Sequence, residues 1–479
     1  MNRTMIGSMV GRILLAEAAM LLLPLIAALC YGEACAVTFA QTALASAAVG
    51  FLLCRLCKVK DSTIYAREGF VTVALAWLTV SLVGAVPFVV SGEIPSYVDA
   101  LFETVSGFTT TGASILTDVE SMSHGMLFWR SFTHWVGGMG VLVFVLAASP
   151  SVSERSIHIL RAEMPGPVVG KLVPRSRDTA GILYRIYIVM TVAEIVLLLA
   201  GGMPLFESIV HTFGTAGTGG FGVKANSIAG YSPYLQWVIT AFMLLFGVNF
   251  NIYYLLLIRR FRAAAHSTEL WAYFGIVAAS VAAVAWNIRG LYPAADAVRH
   301  SAFQVASVIS TTGYATADFD LWPQFSRTVL FLLMFTGACA GSTCGGLKVS
   351  RVVILWKMIR RELRKLLRPR SVSTISMEGK TVDAATISGV GNYFACYMLC
   401  IVVLFLLLSL EPFSFETNLT AVVSCFNNIG PGLGGVGPAS NYAAYSAWAK
   451  LLLSFGMLLG RLEIYPLLIL LRLGNAKRT

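Results

Sequence analysis

The sequence predicts an all-α integral membrane protein with about ten transmembrane helices and four re-entrant pore helices. Of the 479 residues, 57% are hydrophobic and only 12% are charged, whereas soluble domains carry about 25% charged residues. In addition, four short turns rich in glycine and threonine lie between the long apolar segments. Irregular backbone is tolerated at membrane depth only where protein buries it or where it lines a watery path. These turns are therefore the first candidates for a functional site.

Long apolar segments predict the membrane spans, because a helix needs roughly 20 residues to cross a bilayer. Two opening spans are expected at residues 9–31 and 36–57. The remaining spans are expected at residues 69–91, 126–148, 179–202, 233–258, 269–289, 326–350, 388–410 and 447–472. The intervening runs of ten to fourteen residues are too short to cross, and we interpret them as half-length helices that enter and leave on one side.

The net charge of +11 comes from basic clusters that an even number of spans places on one face. The clusters are Arg55, Lys58, Lys60 and Arg67; Arg155, Arg161, Lys171, Arg175 and Arg177; Arg259, Arg260 and Arg262; Arg351 through Arg370; and Lys477 with Arg478. The positive-inside rule makes that face cytoplasmic. We therefore expect a multi-pass membrane protein with both termini in the cytoplasm; the resemblance described below implies the bacterial inner (plasma) membrane. The charge gives no reason to expect nucleic acid as a partner.

Several function classes find no support in the residues. Cys54 and Cys57 form a CxxC pair, but no second pair completes a zinc site. An intramembrane enzyme would need paired aspartates, a zinc-binding histidine motif or a Ser/His dyad, and the sequence has none of these at membrane depth. We therefore predict no catalytic residue, no enzymatic activity and no covalently bound cofactor.

The four turns recur at intervals of about 100 residues, which indicates an internal repeat around a shared axis. They read FTTTGAS (Phe108–Ser114), AGTGGFG (Ala216–Gly222), STTGYAT (Ser310–Thr316) and NNIGPGL (Asn427–Leu433). We treat Gly112, Gly219, Gly313 and Gly430 as equivalent positions. Each turn follows a short helix and precedes a span, so the predicted units are 1–62 (two N-terminal helices), 63–155, 156–265, 266–370 and 371–479 (pore repeats one to four). Because all four repeats begin and end on the cytoplasmic side they are parallel, an arrangement that suits a central pore.

The composition of the turns predicts a cation selectivity filter. Backbone carbonyls can replace the water shell of a potassium ion without adding charge, and glycine permits the φ angles that aim successive carbonyls at one axis. The filter residues are predicted to be Thr110, Thr111, Gly112, Thr218, Gly219, Gly220, Thr311, Thr312, Gly313, Tyr314, Asn428, Ile429, Gly430 and Pro431. The expected potassium ligands are the carbonyls of Thr111, Gly112, Thr218, Gly219, Thr312, Gly313, Ile429 and Gly430. Ile429 and Pro431 flank the fourth glycine, so the filter should be asymmetric.

A gate is predicted below the filter from two features. Residues 337–346 are all small, and Gly337, Gly341, Gly345 and Gly346 weaken a helix by roughly 1 kcal/mol each. We expect a flexible loop there, although a tight helix-packing face is the alternative. Arg461 lies within the last predicted span, where a lipid-facing charge is costly. It should therefore face the pore as an electrostatic barrier, or pair with another unit. Glu463 is a poor direct partner for it because the two side chains leave different helix faces.

Other polar residues leave alternatives open. Arg130 is expected to anchor the back of the filter, while His134 and His211 are either structural histidines or, for His134, a proton-coupling group. Asp118, Glu120, Asp318 and Asp320 could concentrate cations at the outer mouth or could be ordinary loop charges. The basic amphipathic run from Lys357 to Arg370 could lie on anionic lipid or dock a regulatory subunit.

The motifs FETVSGFTTTGAS, WRSFTHWVGGMG, ISTTGYAT and SCFNNIGPGLGGVGP resemble the Trk/Ktr/HKT superfamily of potassium transporters over essentially the whole chain. The two extra N-terminal spans resemble the bacterial Trk-type membrane (pore) subunit. The resemblance implies four M1–P–M2 domains around one pore, a homodimer, and a cytosolic nucleotide-binding (RCK-type) regulatory subunit. It also implies an intramembrane loop approached by Arg461, and potassium selectivity because Gly112 stands in the first turn.

We therefore expect potassium uptake across the inner membrane through a selective, gated pore with a four-part glycine filter. The alternative is a symporter that couples potassium entry to protons or sodium. A proton-coupled carrier would need a titratable group in the permeation path, and His134 and Glu463 are the main candidates.

Overall fold

The protein is described here by a computed structural model that covers residues 3–57, 66–140, 176–370 and 374–475. Its first part contains α1 (Arg3–Met20), α2 (Leu22–Tyr31), α3 (Cys35–Leu56), α4 (Ala66–Gly84), α5 (Val86–Val90), α6 (Tyr97–Phe108) and α7 (His124–Gly138). The middle part contains α8 (Ser176–Ala200), α9 (Leu205–Ala216), α10 (Pro233–Phe246), α11 (Phe250–Leu257), α12 (Phe261–Ala265), α13 (Thr268–Ile288), α14 (Ala294–Ile309) and α15 (Gln324–Met334). The last part contains α16 (Val349–Leu367), the short antiparallel hairpin β1 (Ser376–Met377) and β2 (Lys380–Thr381), α17 (Ala384–Leu408), α18 (Phe415–Asn427), α19 (Ala447–Arg461) and α20 (Tyr465–Asn475).

The expected all-α membrane fold is confirmed. Within the described residues, six helical segments are long and apolar enough to cross a membrane, or up to eight if each bent helix pair is one span. Ten spans were expected. One of the ten, 126–148, continues past residue 140 and so lies partly outside the described residues.

Three expected spans are not continuous helices. The segment at 233–258 bends by 89° between α10 and α11, and the segment at 447–472 bends by 117° between α19 and α20. At the second bend Glu463 and Ile464 adopt left-handed φ angles of 54° and 68°, which end α19. The segment at 326–350 is interrupted between α15 and α16. The third break was expected from the small residues at 337–346, but the other two were not, because the hydropathy of a segment does not report the direction of its backbone.

Four short helices reach into the protein interior between the longer ones. They are α6, α9, α14 and α18, and their last turns are almost fully buried. Ser96 and Ser414 cap the first and last of them through hydrogen bonds to the backbone N–H groups of Asp99 and Thr417. Pro204 and Pro293 precede the other two, at a position where the missing N–H group removes no hydrogen bond of the helix. A long apolar core surrounds the four helices.

Of the predicted boundaries between units, one has described residues on both sides. The boundary between residues 265 and 266 falls between α12 and α13. The boundaries at 62/63, 155/156 and 370/371 touch residues outside the described ranges. The basic residues Lys58, Lys60, Arg155, Arg161, Lys171, Arg175, Lys477 and Arg478 also lie outside them. The division into four repeats stays a prediction.

Candidate functional site

The four short helices end where the four glycine turns begin. Their last residues are Phe108, Ala216, Ile309 and Asn427, and each turn follows directly. A helix carries roughly half a negative charge at its C-terminus through its unpaired carbonyls. Four such ends directed at one region create a site of negative potential without a single carboxylate. That potential suits a cation.

The turns share one backbone geometry. Each contains two positive φ angles at positions two residues apart, the first on a non-glycine residue and the second on glycine. The pairs are Thr110 (56°) with Gly112 (76°), Thr218 (56°) with Gly220 (79°), Thr311 (56°) with Gly313 (82°), and Asn428 (57°) with Gly430 (102°). Four matching left-handed pairs make the turns equivalent in structure as well as in sequence.

This geometry corrects the sequence alignment of the second turn. The residue equivalent to Gly112, Gly313 and Gly430 is Gly220, not Gly219. It follows that the carbonyls equivalent to those of Thr111 and Gly112 belong to Gly219 and Gly220, and that Thr218 matches Thr110. Two adjacent glycines made the register ambiguous in the sequence, and only the φ angles separate them.

The turns touch one another in a closed ring. A Cβ atom built on Gly112 would lie 1.9 Å from the Gly219 carbonyl oxygen, and one on Gly220 would lie 2.0 Å from that of Thr312. A Cβ atom built on Gly313 would lie 2.0 Å from the Ile429 carbonyl oxygen, and one on Gly430 would lie 2.7 Å from the Thr111 carbonyl oxygen, which closes the ring. At none of these positions is there room for a side chain beyond hydrogen. The four backbones therefore surround a narrow common axis.

A cavity of about 160 Å³ lies against the ring and touches Gly112, Gly220, Gly313 and Gly430. Pro431 and Ala113 also line it. Of the predicted filter residues, the threonines, Tyr314, Asn428 and Ile429 are fully buried behind this surface. The expected filter residues are thus brought together at one place, with backbone rather than side chains facing the opening.

Hydroxyl and amide side chains brace the turns from behind. Asn428 Nδ2 donates to Thr111 Oγ1 at 3.0 Å and to the Met457 carbonyl at 3.0 Å, which ties the fourth turn to the first. The hydroxyls of Ser310 and Thr312 are 2.7 Å apart, as those of Thr109 and Thr111 are 2.8 Å apart. These bonds engage the hydroxyl groups in holding the turns together.

Two tyrosine hydroxyls hold neighbouring turns. Tyr314 donates to the carbonyls of His211 (3.1 Å) and Phe221 (3.0 Å), and so links the third turn to the second. Its side chain is a brace and does not face the cavity, although its position was predicted as part of the filter. Tyr442 donates to the Gly430 carbonyl at 2.8 Å. Sequence reasoning missed Tyr442, which lies in a loop with no motif to mark it.

A buried ion pair connects the first two turns. Arg130 Nε donates to Glu103 Oε1 at 2.6 Å, and both side chains are at most 4% exposed. Arg130 also donates to the Gly222 carbonyl at 3.1 Å and stacks over the Phe221 ring at 3.5 Å. Glu103 in turn accepts from the Ser114 hydroxyl and the Ile115 N–H. The predicted anchoring role of Arg130 matches this geometry, but its partner Glu103 was not identified from the sequence.

Acidic residues do not line the outer cavity. Arg130 and Lys224 are the charged residues on its described wall. Asp118 and Asp318 instead accept hydrogen bonds from backbone N–H groups of their own loops, and Asp320 pairs with Arg327 at 2.9 Å. The loop-charge alternative therefore describes Asp118, Asp318 and Asp320 better than a cation-concentrating mouth. Glu120 accepts a hydrogen bond from the N–H of Ala225, a residue of the cavity wall, at 3.3 Å, and for Glu120 both alternatives stay predictions.

The two histidines lie behind the ring. His134 Nδ1 donates to the Gly107 carbonyl at 2.7 Å, and its ring packs against Gly219. His211 lies between the hydroxyls of Tyr231 (3.0 Å) and Tyr314 (3.4 Å). Both are fully buried. Neither lines the cavities on the two sides of the ring.

Below the ring, residues 335–348 form a non-helical loop between α15 and α16. The Gly337 N–H donates to the Leu347 carbonyl at 2.8 Å, so the loop leaves and returns at one place. Gly341 and Gly346 have left-handed φ angles of 70° and 68°. Its returning arm reaches the ring itself, because the Gly345 N–H donates to Thr311 Oγ1 at 2.9 Å. The loop expected from the small-residue stretch is thus present, directly beneath the third turn.

Arg461 and Lys348 hold this loop. Arg461 donates to the Thr343 carbonyl at 2.7 Å, and to the carbonyls of Gly137 and Gly138 at the end of α7. It therefore joins α19 to the end of α7 and to the loop through backbone carbonyls. Lys348 donates to the carbonyls of Cys344 and Gly345. The sequence did not mark Lys348, since a lysine after a span is usually just a cytoplasmic flank.

A cavity of about 50 Å³ lies between the loop, Arg461 and the end of α7. Lys348 and Glu463 also reach its wall. Glu463 is engaged by Arg351 through two hydrogen bonds of 3.0 and 2.6 Å. These bonds make Arg351 a direct partner of Glu463. The site therefore has one cavity above the ring and one below it, and the turns and the loop lie between them.

Comparison with known proteins places the whole chain in one family. The family described as "TrkH: Cation transport protein" matches residues 36–274 and 277–477. The Trk system potassium uptake protein TrkH of Salmonella typhimurium (strain LT2) is 35% identical over 474 residues, which is 97% of each chain. TrkG of Escherichia coli (strain K12) is 34% identical over 455 residues, or 93% of each chain.

A solved structure gives the same result. The crystal structure of the potassium transporter TrkH from Vibrio parahaemolyticus superimposes with a TM-score of 0.89 at 31% identity, and covers 98% of this chain and 99% of that one. The suspected relationship to the Trk-type membrane subunits is therefore confirmed. It assigns the chain to a family of transporters rather than enzymes. The chain belongs to the TrkH family of cation transport proteins.

Proposed function

We propose that this protein takes up potassium through a gated pore whose filter is the ring of four glycine turns. The observation that supports this most strongly is the closed ring of contacts from Gly112 through Gly220 and Gly313 to Gly430. Backbone carbonyls around a narrow axis can replace a potassium ion's water. The relatives are named as potassium uptake proteins.

We propose Arg461 and the loop at 335–348 as the gate. A fixed positive charge beneath the filter raises the energy of a cation at that point, and the loop fills the space that the ion must cross. Thr343 and Gly345 link the loop to the arginine and to the third turn. The pore opens when these bonds break and the loop withdraws. Lys348 is a second positive charge on the same loop and adds to the barrier.

We further propose that the chain lies in the bacterial inner membrane with its basic face in the cytoplasm, acts as a homodimer, and is regulated by a cytosolic nucleotide-binding subunit of the RCK type. The distribution of Lys and Arg supports the orientation. The word "system" in the names of the relatives fits the presence of a further component.

Ion flux into proteoliposomes that hold the purified chain tests the proposal. Potassium, rubidium, sodium and lithium gradients are imposed separately, with and without a membrane voltage. Potassium and rubidium flux that follows the voltage without a proton gradient supports a channel-like pore. Flux that requires a proton or sodium gradient would replace it with a coupled carrier. The Gly112→Ser variant adds a test of the filter, since a side chain there should admit sodium, and unchanged selectivity would contradict the assignment.

A further inference from the structure

Helix α16 leaves the rest of the protein after its first two turns. From residue 359 to its end every residue but Arg361 is exposed. The exposed residues include Trp356, Ile359, Leu363, Leu366 and Leu367, whose exposure ranges from 55% to 82%. At helical spacing these five form one apolar stripe. An apolar stripe that no described part of the chain covers must meet another apolar medium.

The basic residues of α16 form a second stripe next to the first. Lys357, Arg360, Arg361 and Arg364 recur at spacings of three and four residues, so they share one face of the helix. Like charges at these spacings repel one another. Among the described residues, Glu362 is the carboxylate that pairs with this set, through Arg361 at 3.2 Å. The positive charges of Lys357, Arg360 and Arg364 could therefore bind an anion from outside the chain.

A cavity of about 200 Å³ lies beside the basic stripe. These four basic residues form one wall, and Thr374, Ile375 and Ser376 form the other. The second wall is held in place because Lys357 Nζ donates to the Ser376 carbonyl at 2.6 Å, and because Ile375 is buried. The Ile375 carbonyl also accepts from the Val382 N–H across the hairpin. The basic residues therefore border a half-open cleft with two defined walls.

The chemistry of this space fits a phosphate group. Guanidinium groups bind phosphate through paired N–H donors, and these bonds are stronger than neutral ones. The cavity is smaller than the roughly 300–1,000 Å³ of a drug-sized ligand site, so a headgroup fits it better than a whole ligand. No carboxylate lines the described walls. The adjoining apolar stripe would then continue into the acyl region.

We propose that α16 lies on the cytoplasmic leaflet and that this cavity binds the phosphate of an anionic phospholipid. The apolar stripe supports lipid over a soluble phosphate, because an interfacial helix combines an apolar face with flanking basic residues. This inference uses the orientation proposed above but concerns binding, not transport. Lipid on this helix would hold the segment that directly follows the gate loop.

Native mass spectrometry of the full chain in detergent tests the proposal without any flux measurement. The protein is titrated with phosphatidylglycerol, with phosphatidylcholine and with inorganic phosphate. The double variant Arg360→Gln/Arg364→Gln removes two cavity charges, and Arg259→Gln/Arg262→Gln removes two exposed charges elsewhere on the same face. The cavity variant should bind the first phosphatidylglycerol at least about tenfold more weakly than the wild type. The control variant should match the wild type, and phosphatidylcholine should not distinguish the three proteins.

A third variant separates lipid from free phosphate. Trp356→Gln removes the apolar residue that starts the stripe, and should weaken phosphatidylglycerol binding while leaving the cavity charges in place. Equal phosphatidylglycerol affinity in the wild type and the cavity variant would overturn the proposal. So would inorganic phosphate that binds as tightly as the lipid, since the apolar stripe would then have no part. Because the residues changed lie on the surface, unchanged thermal midpoints confirm that all variants fold, whatever the outcome for transport.

Discussion

Arg130 and Glu103 form a buried pair, with 2.6 Å between Arg130 Nε and Glu103 Oε1, that lies behind two different glycine turns. Glu103 holds the first turn through Ser114 and Ile115, and Arg130 holds the second through the Gly222 carbonyl. The two turns are far apart in sequence but share one support. The Arg130–Glu103 pair therefore supports the spacing between these turns, in addition to their direct contact at Gly112 and Gly219.

Arg130→Ala should be strongly destabilising and should loosen selectivity. Removing one partner of a buried pair leaves an uncompensated charge and costs about 3–5 kcal/mol. Thermal unfolding in detergent and the potassium-to-sodium flux ratio measure the two effects. Asp296→Asn is the control, because its pair with Arg299 is partly exposed and should contribute less than about 1 kcal/mol. A normal flux ratio in a folded Arg130→Ala protein would argue against the shared support.

The corrected register of the second turn can be tested by a rescue experiment. A Cβ on Gly219 would lie 2.3 Å from the His134 ring, whereas a Cβ on Gly220 would lie 2.0 Å from the Thr312 carbonyl oxygen. Gly219→Ala and Gly220→Ala should each abolish potassium-selective uptake, as a side chain at Gly112 should. His134→Ala removes the ring and should restore uptake to Gly219→Ala, because contacting residues couple non-additively. It should not restore Gly220→Ala, whose clash is with backbone. If His134→Ala restored uptake to both variants, or to Gly220→Ala alone, Gly219 and not Gly220 would be the equivalent of Gly112.

Arg461→Gln should increase potassium flux. The arginine makes hydrogen bonds to three carbonyls that join the loop to α7, and each bond to a charged group is worth about 1.5–3 kcal/mol. Loss of even one such bond shifts the closed–open equilibrium by about tenfold. Arg461→Lys should be intermediate, since an ammonium lacks the planar fork that reaches several carbonyls. Arg472→Gln, on the exposed side of α20, is the control for loss of charge. Reduced or unchanged flux in Arg461→Gln would contradict the gate.

Glu463→Gln separates a structural carboxylate from a proton-coupling one. Glu463 accepts two hydrogen bonds from Arg351, which also lies 3.9 Å from the centre of the Tyr393 ring. We expect a lower thermal midpoint and voltage-driven flux that is retained per folded molecule. Glu362→Gln, on exposed α16, should leave the thermal midpoint unchanged. If Glu463→Gln instead removes a flux component that depends on a proton gradient, the carrier alternative is correct.

Glu33 should make part of the protein's thermal stability depend on pH in the acidic range. It lies in the loop between α2 and α3, where partial burial raises its pKa, but hydrogen bonds from Gly125, His124 and Cys35 together lower the pKa below the ordinary 4.5. A lowered pKa means that this stabilisation is complete above about pH 4.5 and is lost as the pH falls through the lower folded value. Glu33→Gln should lower the thermal midpoint at pH 7 and reduce the further loss below pH 4.5. An unchanged acid dependence in the variant would contradict this assignment.

The sequence by itself determined the fold class, the position of the four glycine turns and the small-residue loop at 337–346. These features follow from local chemistry: long apolar runs must span, and glycine and threonine clusters stop helices wherever they occur. The short helices before the turns were also predictable, because runs too short to cross must re-enter. A membrane restricts the possible structures so strongly that such patterns have few alternatives.

Only the tertiary structure decided which groups meet. The equivalence of Gly220 with Gly112 required φ angles, and the pairing of Glu103 with Arg130 required the packing of α6 against α7. Arg461 was found in the sequence as a misplaced charge, yet its carbonyl partners come from chain segments more than a hundred residues away. Backbone carbonyls leave no mark in a sequence, since every residue has one. For a site built from backbone, the sequence can indicate where the chain turns, and only the folded structure shows what the turn faces.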